Sequence, residues 1–251
     1  APTVAPELEI IEIPAWDCLP YDRASPSLRA ASARLAGLYA LQAKPRGPQL
    51  VVTTLAAMTQ RTLTPFRVRQ LVAKLAPKER IAIQRLAEML QANGYVRTDT
   101  VHDRGEFAIR GGIVDLFPGG EDQPLRLDFF GDEIESIRRF DVETQRKLED
   151  LEHVSLMLVK PVERVQTDPG GDGSSVPSFS GDSFLDDLPD GSWVALTALQ
   201  DLIDEGKQYL SRLDEPRGLY SVDATMARCT AYPMVTIAAL AIEDSETVCH
   251  L

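Results

Sequence analysis

Residues 105–146, GEFAIRGGIVDLFPGGEDQPLRLDFFGDEIESIRRFDVETQR, constrain the fold more than any other part of the chain. Short apolar runs alternate there with turn residues, the pattern of consecutive strands joined by tight connections. In LRLDFF, Leu125, Leu127 and Phe129 alternate with Arg126, Asp128 and Phe130. A period of two puts the first three on one face of a strand and the others on the opposite face. The first set is expected in the core and the second outward. Gly111-Gly112 predicts a bulge or a close backbone approach. Residues 118–123 predict a hairpin loop, and 131–133 a tighter one. Upstream, Ile81, Ile83, Leu86, Met89 and Leu90 predict a helix over 78–92 that Asn93-Gly94 ends. A helix on an antiparallel meander is an α+β unit.

The flanking segments have α/β grammar instead. Residues 8–13 predict a strand. Ser27 predicts the N-cap of a helix with Leu28, Ala31, Leu35, Leu38 and Leu41 at spacings of three and four. Residues 50–54 predict a buried strand and 55–60 the start of a helix, whereas 64–75 carry little signal. After a strand at 154–159, TDPGGDGSSVPSFSGDS reads as a linker or long exposed loop. The remainder predicts a buried strand at WVALT, helices over 199–213 and 219–229, and a final strand at MVTIAAL.

Composition narrows the function. The chain has 251 residues and a net charge of -12, and phosphate contacts need Lys and Arg, so the whole chain is a poor DNA binder. Basic residues nevertheless dominate from Arg61 to Arg85, and 182–190 is acidic. No apolar run approaches the ~20 residues that span a bilayer. The first residues lack the basic and apolar regions of a signal peptide. The chain also begins without Met, as an excised fragment would. Cys18, Cys229 and Cys249 are far apart and His102, His153 and His250 are scattered. This argues against a metal site or disulfide framework and fits a cytoplasmic protein.

Phosphate-cradling, nucleophile-elbow and zinc-protease motifs are missing from the sequence. The paired glycines precede no helix start, which disfavours dinucleotide binding. Turn solvation accounts for Asp132, Glu133 and Glu135 more cheaply than acid–base chemistry. The chain therefore reads as a binding module without catalysis of its own. Binding hot spots favour aromatics and Arg, so Arg126 and Phe130 on one outward face are the best candidates. Arg110 joins them if its strand pairs alongside, with Asp128 and Gly111 as flanking contacts. The alternative is that Phe130 packs under a neighbouring domain and Arg126 pairs with Asp128.

The pieces IPAWDCLPYDRASPS, GEFAIRGGIVDLFP, LRLDFFGDEIESIRRFD and ETQR, and more weakly LYSVDATMARCTAYPMVTI, resemble the N-terminal part of the bacterial transcription-repair coupling factors, the Mfd family. That region is similar to three domains of the excision-repair helicase UvrB. The resemblance implies a degenerate UvrB-like α/β domain, split by an inserted α+β UvrA-binding domain with an antiparallel sheet. On this chain the parts are 1–68, the first part of the α/β domain, truncated at its start; 69–157, the insert; 158–190, the linker or loop; and 191–251, the second part. In the family, UvrA contact is carried by the Arg of AIRGG and by the Arg and second Phe of PLRLDFF, which fall on Arg110, Arg126 and Phe130. The family's opening strand, polymerase-binding domain and motor motifs are absent here, and the stretch 158–190 is short. RNA polymerase and DNA are thus expected partners of other domains of the parent. ATP and Mg are expected only in the parent's motor, and no cofactor in this segment. The resemblance also implies that a later domain masks the UvrA-binding face at rest. A second reading is a DNA-binding UvrB-like domain, motivated by the basic stretch 67–85.

Overall fold

The computed structural model describes residues 7–18, 26–159, 183–213 and 219–238. Strand β1 (Glu9–Ile13) pairs in parallel with β2 (Gln49–Thr53), and helix α1 (Leu28–Leu41) makes the crossover that parallel strands require. The Ser27 hydroxyl caps α1 by accepting from the Ala30 N–H at 3.1 Å. The helix lies directly on β1. A Cβ at Gly37 would stand 2.2 Å from the Glu12 carbonyl oxygen, so only glycine fits. Gly37→Ala is expected to cost about 1–3 kcal/mol through overpacking; an unchanged thermal midpoint would contradict this contact.

Ile11 and Ile13 pack with Leu35, Leu38 and Leu41 in a first apolar core. The same core takes side chains from distant sequence: Met157, Phe184, Leu185, Val222 and Cys229. Buried Arg34 pins it, donating to the carbonyls of Pro14, Ala57 and Gln60 at 2.8, 3.2 and 3.4 Å. Burial without a carboxylate pulls its pKa down to about 10.

Helix α2 (Leu55–Thr59) follows, then α3 (Pro65–Gln70) and β3 (Val72–Leu75), which fill the stretch where sequence periodicity is weak. Both are too short to show a period. The Thr64-Pro65 start of α3, a hydroxyl cap followed by proline, is its clearest local mark. Strand β3 pairs antiparallel with β10 (Val154–Met157).

Helix α4 (Ile83–Ala92) begins five residues later than its apolar spacing predicts. Lys78 has φ +74°, and the chain then runs along the tip of a hairpin. The Lys78 N–H donates to the Ile134 carbonyl at 2.7 Å and the Ile81 N–H to the Asp132 carbonyl at 2.8 Å. Sheet hydrogen bonds thus take residues that a helical pattern would claim.

A six-stranded sheet follows, in the order β4 (Val96–Arg97), β5 (Glu106–Arg110), β6 (Ile113–Leu116), β7 (Leu125–Phe130), β8 (Glu133–Phe140) and β9 (Lys147–Asp150). Apart from the parallel β4–β5 pair it is an antiparallel meander. Leu86, Ala87 and Leu90 of α4 close one face over Phe107, Val114, Leu125, Leu127, Phe129 and Ile137, forming a second core.

The end of the expected linker is not a loop. Ser183 opens a one-turn 3-10 helix (Phe184–Asp187) through a capping box, and Phe184 and Leu185 are buried in the first core. Two large apolar side chains repay ordering despite the Gly- and Ser-rich approach. The rest of that linker, 160–182, lies outside the described residues. Strand β11 (Val194–Thr197) pairs in parallel with β12 (Met234–Ile237), with α5 (Leu199–Ser211) and α6 (Val222–Cys229) between them. Helix α6 starts after its Ser221 cap rather than at 219. The strands expected to be buried are half open: Leu50 is 45% exposed, Val52 47% and Trp193 71%. Leu50 and Val52 lie in β2 and Trp193 just before β11, and each of those strands belongs to a two-stranded sheet among the described residues, with one face uncovered. No described helix is long and apolar enough to cross a membrane.

Candidate partner-binding face

The meander's second face is the candidate site. Strand pairing aligns Ala108, Asp115, Arg126 and Arg138 in one row, and Arg110, Ile113, Asp128 and Ser136 in the next. Directly paired residues point the same way, so the three arginines and two aspartates share this surface. A small apolar cluster of Val101, Ala108 and Phe117 covers the sheet near its loops.

Asp115 organises the face. Its side chain is 2% exposed, and it accepts from Arg126 Nε at 2.6 Å and Nη2 at 2.8 Å, a bidentate fork. Its second oxygen also takes Arg110. Arg126 goes on to donate to Gln145 Oε1 at 2.9 Å and lies 4.4 Å over the Phe140 ring. The Asp115 hydrogen bonds hold its guanidinium pKa above the ordinary value, with burial opposing. Gln145 has φ +58° in the turn after β8, where its own amide donates to the Val142 carbonyl at 2.9 Å. Asp128 pairs with Arg138 and accepts from the Ser136 hydroxyl at 2.6 Å.

Arg126 therefore faces outward, as strand alternation predicts, but its guanidinium is not free. Only 14% of its side chain is exposed. Nor does it pair with Asp128, as the alternative reading had it. Its partners are Asp115 and Gln145. Sequence reasoning missed both. The available signal for Asp115 was an aspartate inside the apolar strand IVDL, at an outward position. Arg110 is different: 47% of its side chain is exposed, leaving donors for a partner.

Phe130 is 78% exposed at the end of β7. It does not pack under a neighbouring element. The turns beside it are bare. A Cβ at Gly111 (φ +60°) or Gly131 (φ +61°) would meet nothing within 4 Å. Gly112 makes the expected close approach, with its Cβ position 2.9 Å from the Phe129 carbonyl oxygen. The Phe129 N–H in turn donates to the Gly112 carbonyl at 2.7 Å. This brings Arg110, Gly111 and Phe130 to one corner. Among the turn carboxylates, Glu133 pairs with Arg80 at 3.3 Å. The corner offers an aromatic anchor, a half-exposed guanidinium and a charge lattice fixed behind them. No cluster of His, Cys, Asp and Glu able to hold a metal occurs among the described residues.

Residues 73–160 match the UvrB interaction domain family. The chain is 37% identical over 163 residues to the transcription-repair-coupling factor of Haemophilus influenzae, covering 65% of this chain and 14% of that protein. It is 36% identical over 148 residues to the factor of Escherichia coli, covering 59% and 13%. For Myxococcus xanthus the identity is 37% over 153 residues, covering 61% and 13%. The chain thus spans about one seventh of the length of these relatives. Residues 73–160 thus match the UvrB interaction domain family, and the chain that carries them is similar to a part of the bacterial transcription-repair-coupling factors.

Proposed function

We propose that this chain is a UvrA-recruiting module of nucleotide-excision repair, acting by protein–protein binding. The observation that carries the reading is the corner where exposed Phe130 stands beside half-exposed Arg110, with Arg126 locked behind them on buried Asp115. The match of residues 73–160 to the UvrB interaction domain supports it. Catalysis is not assigned to this region, and its contribution is to bring the excision machinery to a site marked by the rest of a longer protein. Arg110 tests the reading cleanly, because its side chain is not needed to fill the core. Arg110→Ala is expected to weaken UvrA about tenfold in a calorimetric titration, as loss of a charge-assisted contact would. An affinity within twofold of the unmodified chain would contradict it.

The proposed architecture is an α/β domain in two parts, 1–68 and 191–251, with 69–157 inserted between them. Support comes from the first core, which joins both ends of the chain, and from the β3–β10 pair, which closes the insert at its base. In a longer parent, RNA polymerase and DNA would meet other domains, and a later domain would cover the Phe130 corner at rest. A longer chain carrying that domain should then bind UvrA more weakly than residues 1–251, and equal affinities would exclude masking.

A further inference from the structure

Between Arg23 and Lys78 the sequence holds ten Lys and Arg and no Asp or Glu, although the chain as a whole carries 38 acidic residues. The fold gathers half of these cations at one place. Arg67 and Arg69 project from α3, where both are exposed. Arg69 donates to Gln42 Oε1 at 3.1 Å, which ties α3 to the end of α1. The exposed loop that follows carries Lys44 and Arg46. Lys74 of β3 lies 5.5 Å over the ring of Tyr39, one turn back along α1. Arg67 is held by Gln70 Oε1 at 2.6 Å. The two arginines are thus oriented by neutral amides, which leave their charge uncancelled. Arg80, Arg85, Arg104, Arg138, Arg139 and Arg228, by contrast, each face a carboxylate. The upper part of the basic stretch 67–85 is therefore neutralised, and the open positive charge lies around the end of α1.

Phe66 stands in this patch, 62% exposed and three residues before Arg69 on α3, hence on the same helix face. We propose that the surface formed by α3, β3 and the C-terminal end of α1 binds single-stranded nucleic acid. The cations would follow the phosphates and the Phe66 ring would take a base. Cations spread over three elements fit a chain of regularly spaced anions better than one carboxylate. The bare ring selects a single strand, because a duplex keeps its base faces stacked. An acidic peptide would satisfy the charge and leave the ring without a flat partner.

The test is fluorescence anisotropy of the 251-residue chain with a short labelled oligo(dT) across a salt series. Contacts from five cations give a log–log salt slope of about -3.5. The Arg67→Ala/Arg69→Ala double variant should flatten that slope by about 1.4. Phe66→Ala should weaken binding about tenfold with the slope unchanged. All three positions are exposed, and circular dichroism is the check that the variants fold. Phe130→Ala should bind the oligonucleotide like the unmodified chain, which separates this surface from the UvrA reading. No saturable binding at low salt would overturn the proposal, as would variants that bind normally. Tighter binding of polyglutamate, or of a duplex with Phe66→Ala neutral, would overturn it in favour of an acidic protein or of duplex.

Discussion

Asp115→Ala is expected to destabilise the chain by about 3–5 kcal/mol, because it leaves Arg126 partly buried without its counter-charge. The carboxylate is almost fully enclosed and serves two guanidiniums. Removing it strands the fork of Arg126 against Phe140 and lets Arg110 swing away from the sheet. In a domain of this size the thermal midpoint should fall by roughly 10 °C. Asp115→Asn should fall less, because one carbonyl oxygen still accepts from Arg126. Circular dichroism melts of the two variants check this. A midpoint within about 2 °C of the unmodified chain for Asp115→Ala would show that the lattice does not rest on Asp115.

Phe130→Ala should do the opposite. The ring is 78% exposed, so truncation is expected to change stability by no more than about 0.5 kcal/mol. Binding to UvrA should nevertheless weaken about thirtyfold or more, the loss of about 2 kcal/mol typical of an aromatic hot spot. The two variants thus separate a residue that builds the face from one that meets the partner. Calorimetric titration beside a thermal melt reads both. Weakened binding that merely tracks a lost fold would count against Phe130 as a contact.

How much of this was readable beforehand depends on the range of the interactions. Alternation in LRLDFF needs only neighbours, and it placed Leu125, Leu127 and Phe129 inside and Phe130 outside. Ser27 as a cap is equally local. The first residues of the 78–92 pattern are decided instead by hydrogen bonds to Asp132 and Ile134, more than fifty residues away. Periodicity is blind to such partners. Phe184 and Leu185 sat beside a stretch dominated by Gly and Ser, and window composition outweighed two side chains that complete a core. At the site, the candidate residues were legible and their state was not. Arg126 was visible as an outward arginine, but its engagement follows from the register that sets Asp115 opposite it and from a left-handed turn that delivers Gln145. Register and turn geometry belong to the assembled hairpins, not to any one strand.

Photo-cross-linking from position 130 tests the central claim most directly. With a benzophenone amino acid replacing Phe130, irradiation in the presence of UvrA should give a covalent adduct. The same probe at Trp193, which is 71% exposed and lies just before β11 of the separate β11–β12 sheet, should give none. An adduct from position 193 with none from position 130 would contradict the account.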